Sequence, residues 1–246
     1  MTEATPNEAA IAQWSRFPRS AMEAMEPDGD LAKRHLVNPV IFRMLGEVTG
    51  RRILDAGCGT GYLSRLLAAR GAHVTGAEPA AALLSYAREL EAERKQGVEY
   101  LQAELAALPG SVSEFDAVVC SMVLMAIPDW KPAMRACVRA VRPGGLFVFA
   151  IVHPAFEQLR PTWNEYGEYR LRRYLAEYDI PQTLATDYHR PISTYLNELA
   201  ALGCRIVEIA EPGLDPEVVR ADPILESYVH LPNFLLVAAE APVRRK

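Results

Sequence analysis

The chain lacks several features that would mark particular classes of protein. No run among its 246 residues approaches the roughly 20 consecutive apolar residues that cross a bilayer, so we expect no membrane span. The N-terminus has no basic region ahead of an apolar one, so no secretory signal is predicted. The net charge of −5, with basic and acidic residues mixed along the chain, argues against a nucleic-acid partner.

Cysteine is also scarce, and the few cysteines are scattered. None forms a C-x-x-C pair, and no His/Cys cluster has the spacing of metal ligands, so we predict no metal site. We expect reduced, buried cysteines in a cytoplasmic protein. The four are Cys58, Cys120, Cys137 and Cys204. What the chain does have is length and apolar content, with half of its residues hydrophobic, which is enough for one large α/β domain.

A glycine-rich turn is the most informative stretch that is present. Ile53, Leu54 and Ala56 predict a buried strand, and leucines at helical spacing after Tyr62 predict a helix. Glycines between them allow a tight turn that presents bare backbone N–H groups to a ligand. The run reads Leu54-Asp55-Ala56-Gly57-Cys58-Gly59-Thr60-Gly61.

The spacing of these glycines indicates the kind of ligand. A dinucleotide-binding turn has the pattern G-x-G-x-x-G, and its third glycine would fall at Tyr62. Asp55 also stands at the strand end, where a negative charge would not help to bind a pyrophosphate. A ligand with a cationic amino group and no phosphate suits this carboxylate better.

This run resembles the first motif of the class I S-adenosylmethionine-dependent methyltransferases, commonly (L/V)-D-x-G-C-G-T-G, and matches it at every position. The resemblance implies methyl transfer with S-adenosyl-L-methionine as cofactor. It also implies a Rossmann-like, doubly wound, seven-stranded mixed sheet with helices on both faces. The implied cofactor contacts in the turn are Asp55, Gly57, Cys58, Gly59 and Gly61.

A second acidic residue is expected beside the cofactor. His73 to Ala77 predicts a buried strand that ends at Glu78, and Pro79 follows it. A carboxylate about twenty residues beyond the glycine turn is placed to bind a ribose diol. The alternative is that Glu78 serves as a charge favoured by the dipole of the next helix.

Further positions match the resembled family in order. The family commonly has an aspartate four residues before a Leu-Pro pair, where it contacts the adenine amino group, and this chain has Glu104 there, followed by Leu105. The fourth strand is predicted from Phe115 to Ser121, with Ser121 and Met122 beneath the cofactor. A family-typical R-P-G-G turn at 142–145 precedes a fifth apolar strand.

These patterns divide the chain into four parts of a single domain. Residues 1–50 are predicted to form a helical cap in which Asn38 is an N-cap, residues 51–152 the cofactor-binding core, and residues 193–246 the rest of the sheet. Residues 153–192 are predicted to be an inserted, acceptor-binding segment. Its seven aromatic residues suit a flat or apolar acceptor, although packing on its own domain would also explain them.

Two histidines of the inserted segment are candidate general bases. His153 directly follows the fifth strand and His189 closes the insertion. Imidazole has a pKa suited to proton removal near neutral pH. A structural hydrogen bond for His153, and an exposed loop position for His189, are the alternatives.

The expected partner is a small-molecule methyl acceptor with an oxygen, nitrogen or carbon nucleophile, bound by a monomer or homodimer. Alternatives are a cyclase or a binding protein on the same fold, since the fold alone does not determine function. An RNA methyltransferase and an NAD-dependent oxidoreductase are less favoured, because basic residues are not clustered and Tyr62 replaces the third glycine.

Overall fold

The computed structural model describes residues 4–221 and 225–243. Its centre is a seven-stranded sheet in the order β3-β2-β1-β4-β5-β9-β8, which confirms the predicted seven-stranded mixed sheet. β9 runs antiparallel to both of its neighbours, and the first five strands are parallel. The strands are β1 Arg52–Ala56, β2 His73–Ala77, β3 Glu99–Leu101, β4 Phe115–Ser121, β5 Val141–Val152, β8 Arg205–Ala210 and β9 Phe234–Glu240.

Helices cover both faces of this sheet. One face packs against α6 and α8, through residues such as Met134 and Tyr195, and the other packs against α3 and α4, through Ile41 and Leu67. Short 3₁₀ turns lie at Leu105–Ala107 and Leu124–Ala126. The α-helices are α1 Pro6–Trp14, α2 Arg19–Glu23, α3 Asn38–Leu45, α4 Tyr62–Ala68, α5 Ala81–Arg94, α6 Lys131–Ala140, α7 Leu159–Tyr166, α8 Ile192–Ala201, α9 Pro216–Ala221 and α10 Ser227–His230.

The strand order reverses between β1 and β4. From β1 the chain moves outward to β2 and β3, and then returns to place β4 and β5 on the other side. In open α/β sheets the crevice at such a switch point, beyond the carboxyl ends of the strands, is where ligands bind. The fold therefore directs attention to the residues that follow β1, β2 and β4.

The R-P-G-G turn lies inside a strand rather than before one. Phe115 pairs with Val141 while Ala117 pairs with Leu146, so residues 142–145 form a bulge on β5 opposite a single residue of β4. Gly144 takes φ +74° within it, which a glycine adopts without strain.

The N-terminal segment differs from its predicted form at one helix start. Asn38 does not cap a helix, because a π-helical turn at Lys33–Val37 runs directly into α3 and leaves no free helix end at this position. The Asn38 side chain instead donates to the carbonyl of Asp28 at 2.7 Å, which ties the preceding loop to α3.

The inserted segment forms α7 followed by a two-stranded antiparallel hairpin, β6 Tyr178–Pro181 and β7 Thr186–His189.

At the far edge of the main sheet, β8 leaves Ile206, Val207 and Ile209 exposed, and its pairing with β9 shifts register between Ile206 and Glu208. No helix within the described ranges is both long enough and apolar enough to cross a membrane.

Candidate active site

A cavity of about 340 Å³ lies at the switch point of the sheet, within the size range of small-molecule sites. Its floor consists of the glycine turn, the residues that follow β2, and the end of β4. Its cover comes from the N-terminal segment. Most of the lining is apolar, and its charged members are Lys33, Asp55, Glu78, Glu104 and Asp187.

The glycine turn is held in a shape that side chains would not allow. Gly57 has φ +77°, and a Cβ there would stand 2.5 Å from a methyl carbon of Val123. The amides of Gly57 and Cys58 both donate to the carbonyl of Ala77, at 2.8 and 3.0 Å. At Gly59, with φ +54°, no atom lies within 4 Å of where a Cβ would stand, so the backbone there borders open space.

Asp55 lies at the end of β1 and is 2% exposed. Burial raises the pKa of its carboxyl to about 6, although the hydrogen bond that Ser64 Oγ donates to Oδ2 at 2.6 Å acts in the opposite direction. A buried carboxylate beside a cavity attracts a cationic group, because the pair offsets the cost of desolvating each charge.

Glu78 occupies the turn between β2 and α5. Its Oε1 accepts from Ala80 N at 2.8 Å, at the start of α5, and its Oε2 accepts from Gly59 N at 3.0 Å. Burial raises the pKa of this carboxyl to about 7. A carboxylate has about four acceptor sites, so two remain for a ligand after these bonds. Contact with the start of α5 and a position in the cavity are therefore compatible, and Pro79 lines the cavity beside it.

Glu104 is linked to the N-terminal helix by Asn7, a contact that no sequence pattern indicated. Asn7 Nδ2 donates to Glu104 Oε1 at 3.0 Å, and Asn7 Oδ1 accepts from Asp129 N at 3.0 Å. One amide side chain thus joins α1 to two loops of the core. Leu105 is buried beside Glu104 in the cavity wall.

Two hydroxyl groups of the lining lack a partner. Thr60 Oγ1 and Ser121 Oγ are buried without a hydrogen bond to any described residue. Buried polar atoms are nearly always paired in folded proteins, so these two hydroxyls fit a site whose ligand supplies the partners. Met122, at φ +62°, lies next to Ser121 in the same wall.

The aromatic part of the cavity wall comes from the N-terminal half of the chain. Trp14, Phe17 and Tyr62 line the cavity. None of the seven aromatic residues of the insertion lines the cavity. Tyr178 stacks on His189 with ring centroids 4.5 Å apart, and Trp163 stacks on His230 with ring centroids 5.6 Å apart. The expectation that they form the acceptor wall is corrected, and the alternative of packing within the domain describes them better.

His153 is not among the residues that line the cavity. It is 2% exposed, its Nδ1 accepts from Ala155 N at 3.1 Å, and its Nε2 lies 2.8 Å from Glu211 Oε1. Both ring nitrogens are therefore engaged in holding the turn after β5. These contacts support the structural alternative, and the base role of His153 stays a prediction.

His189 is also a structural residue. It is fully buried, with Nδ1 2.8 Å from Glu157 Oε2 and Nε2 2.8 Å from the carbonyl of Tyr174. Because a carbonyl only accepts, Nε2 carries a hydrogen, and both ring nitrogens are occupied. His189 is therefore not the exposed loop residue of the alternative, and its role as a base stays a prediction.

Asp187 is the acidic residue that the insertion contributes to the cavity, and sequence analysis did not select it. The sequence pattern that could have indicated Asp187 is its position two residues before His189, on the same strand β7. The fold and this acid-lined, largely apolar cavity define an α/β protein with a site at the switch point of its sheet that suits a ligand carrying a positive charge.

Comparison with known proteins identifies the family to which this fold and site belong. A family model described as a methyltransferase domain matches residues 54–149. A ubiquinone biosynthesis O-methyltransferase of Methylocella silvestris is 31% identical over 215 residues, covering 74% of this chain and 83% of that protein. Another, from Alkalilimnicola ehrlichii, is 38% identical over 56% of this chain, and the matched part spans 58% of that relative's length.

Among solved structures, an S-adenosylmethionine-dependent methyltransferase from Mesorhizobium loti superposes with a TM-score of 0.72. It is 30% identical, and the match covers 85% of this chain and 97% of that one. The chain belongs to the class I S-adenosylmethionine-dependent methyltransferases. The predicted family and its cofactor, S-adenosyl-L-methionine, are thereby confirmed.

Proposed function

We propose that this chain transfers a methyl group from S-adenosylmethionine to an oxygen atom of a small, largely apolar molecule. The observation that carries the proposal is the buried Asp55 carboxylate beside the glycine turn, at the floor of a largely apolar cavity. The oxygen is favoured over nitrogen or carbon because relatives that are 38% and 31% identical are O-methyltransferases.

The residues of the floor fit this cofactor. Asp55 would pair with the ammonium group. The turn formed by Gly57, Cys58, Gly59 and Gly61 would let the backbone approach the cofactor closely because three of its residues have no side chain, while its amides donate within the protein. Glu78, next to Pro79, would accept from the ribose hydroxyls, and Glu104 from the adenine amino group, with Leu105 against the ring. Ser121 and Met122 would lie beneath. The bound cofactor supplies an electrophilic methyl group.

The protein's contribution is to hold the acceptor in line with that methyl group in a dry pocket. Orientation of this kind can supply roughly 7–11 kcal/mol of barrier reduction. Trp14, Phe17 and the apolar residues after β4 exclude water and provide a surface for the acceptor.

We also propose that the acceptor is a free small molecule rather than RNA, and that the enzyme works in the cytoplasm as a monomer or homodimer. The mixed charge pattern supports the first point. The four free cysteines support a reducing compartment.

Calorimetry tests the cofactor assignment directly. Purified protein is titrated with S-adenosylhomocysteine and, separately, with NAD. We expect saturable binding of the thioether and none of the dinucleotide. Binding of NAD in preference to S-adenosylhomocysteine would contradict the proposal.

The acceptor class is tested with isotopically labelled S-adenosylmethionine. A set of simple phenols is compared with primary alkyl amines of similar size. Label should enter the phenols and not the amines, and the reverse result would replace oxygen by nitrogen as the methylated atom.

A further inference from the structure

Asp187 is placed where a methyl acceptor would lie. Most of the predicted cofactor contacts follow β1, β2 and β3, and only Ser121 and Met122 lie at the end of β4, so the proposed cofactor position is centred on the β1–β3 side of the switch point. Asp187 lies on β7, and its hairpin is held against the turn that follows β4, on the other side. Met125, Ile127 and Pro128 of that turn line the same cavity.

Arg190 fixes the hairpin to that turn. Its guanidinium is buried and donates to the carbonyls of Ile127 and Pro128, both at 2.8 Å, and to that of Leu124 at 3.2 Å. Three backbone acceptors in one loop leave little freedom for the end of β7. Because Asp187 lies on β7, fixing the end of this strand also fixes the position of Asp187 relative to the cavity wall.

The side chain is oriented from within the hairpin. Gln182 Nε2 donates to Asp187 Oδ2 at 3.3 Å, while no hydrogen bond from a described residue to Oδ1 is present. His189, stacked on Tyr178 and bonded to Glu157, fixes the strand two residues further on. One carboxylate oxygen is thus held and the other remains for a ligand.

We infer that Asp187 accepts the proton from the acceptor's hydroxyl group, as the general base of the methyl transfer. This inference rests on the proposed function. It assigns to a carboxylate the role that sequence analysis gave to the two histidines on either side of it.

The charge state of Asp187 suits this role. Partial burial raises the pKa of its carboxyl to about 6, with the Gln182 hydrogen bond acting against it, so it is ionised at neutral pH and near the range in which a base is most effective. Arg190 is directed at backbone carbonyls, and Lys33 across the cavity pairs with Asp30 at 2.5 Å. Other titratable groups that face Asp187 or share its cavity are Asp55, Tyr62, Glu78, Glu104, Glu157, Tyr188 and Tyr195.

The step balances without any further reactant. The acceptor oxygen forms a bond to the methyl carbon as the carbon–sulfur bond breaks, and the electron pair of that bond remains on sulfur as the thioether. The hydroxyl proton passes to Asp187, which returns it to water after the products leave.

The test uses phenol and its methyl ether, anisole, as ligands of the complex with S-adenosylhomocysteine. Binding is followed by tryptophan fluorescence, since Trp14 lines the cavity. The wild-type protein should prefer phenol, whose hydroxyl donates to Asp187. In D187N that preference should fall about tenfold or more, because a hydrogen bond to a charged carboxylate is replaced by a weaker one to a neutral amide.

D179N is the matched control, since Asp179 lies on the partner strand of the same hairpin and outside the cavity lining. It should retain the wild-type preference. With the cofactor product saturating, phenol affinity of the wild type should fall below about pH 6, and this dependence should be absent in D187N.

For any phenol that the wild type methylates, D187N should lower kcat about 10²- to 10⁴-fold. Equal binding of phenol and anisole by the wild type, or an unchanged preference in D187N, would overturn the inference. Failure of the wild type to bind S-adenosylhomocysteine would instead overturn the proposed function, so the two failures are distinguishable.

Discussion

The glycine turn after β1 and the hairpin of the insertion face the same cavity, but they are built differently. The turn obtains its shape from residues adjacent in the chain, such as Gly57 and Gly61, whose positive φ angles form the loop. The hairpin is fixed by partners far away in sequence: Arg190 bonds Ile127, 63 residues distant, and His189 bonds Glu157, 32 residues distant. A local pattern thus specifies the cofactor side, and long-range contacts specify the acceptor side.

This difference has a functional meaning. A shared cofactor requires the same backbone shape in every member of a family, whereas acceptors differ and require different walls. Substitutions in the two regions should therefore separate cofactor binding from acceptor chemistry.

The largest effect is expected from Gly57→Ala. The new methyl group would overlap Val123 at 2.5 Å and the residue would have to hold φ +77°, so the turn must rearrange. We expect loss of S-adenosylhomocysteine binding by more than about a hundredfold, measured by calorimetry, since such strain and overlap together cost at least about 3 kcal/mol. Gly97→Ala is the control, with φ +82° and no neighbouring atom within 4 Å, and it should bind normally.

His189→Phe, on the acceptor side, should lower the stability of the protein and leave its affinity for S-adenosylhomocysteine nearly unchanged. An aromatic ring is kept, but the carbonyl of Tyr174 loses its donor and Glu157 keeps only the hydroxyl of Tyr178. We expect a loss of about 3 kcal/mol in the free energy of unfolding, measured with urea, because unpaired buried polar groups cost about 1–3 kcal/mol each. Affinity for S-adenosylhomocysteine should remain within a few-fold of the wild type at temperatures where the variant is folded. A large loss of affinity with unchanged stability would break the comparison.

Asp55→Asn tests the charge on the cofactor side. It should weaken S-adenosylhomocysteine binding about 10- to 100-fold, the value of one charge-assisted hydrogen bond. Since burial raises the pKa of Asp55 to about 6 and that of Glu78 to about 7, protonation competes with the ligand ammonium group as pH falls. Wild-type affinity should therefore decrease from about pH 8 to about pH 5, approaching about tenfold per unit for Asp55 alone. The variant should show a shallower decrease, and an identical pH profile would remove Asp55 from the ammonium site.

Asn7→Ala should have the smallest effect. The substitution removes the side-chain amide that connects α1 to Glu104 and Asp129. Because neither of these two hydrogen bonds is fully buried, we expect a loss of about 1 kcal/mol in the free energy of S-adenosylhomocysteine binding. Asn7→Asp serves as a comparison, because it keeps the bond to the Asp129 amide but places a second carboxylate beside Glu104. If Asn7→Asp binds as well as the wild type, the link to Glu104 contributes nothing.

The fold was predictable because its signals are local. Strand β1, the glycine turn and helix α4 follow from apolar spacing and three glycines, and their order along the chain defines the parallel sheet. Glu78 was identified because it lies about twenty residues beyond the glycine turn, and Ser121 because Phe115 to Ser121 resembles the family's fourth strand.

The acceptor side was not predictable in the same way. His189 and Asp187 are two residues apart on one short strand and lie on the same face of it. Which of the two reaches the cavity depends on how the hairpin docks on the rest of the protein. Asn7 is 97 residues from Glu104, and nothing in its own surroundings indicates the contact. Side-chain roles that arise only from docking of distant segments leave no local pattern.

The bulged edge strand β8 also has a consequence for handling the protein. An exposed, apolar edge of a sheet is a template for the addition of strands from other molecules. The register shift beside Val207 bends this edge, and the ion pairs that Arg43 makes with Glu208 and Arg205 makes with Glu240 place charges along it. These features oppose open-ended polymerisation, and they make β8 the first place to examine if concentrated samples aggregate.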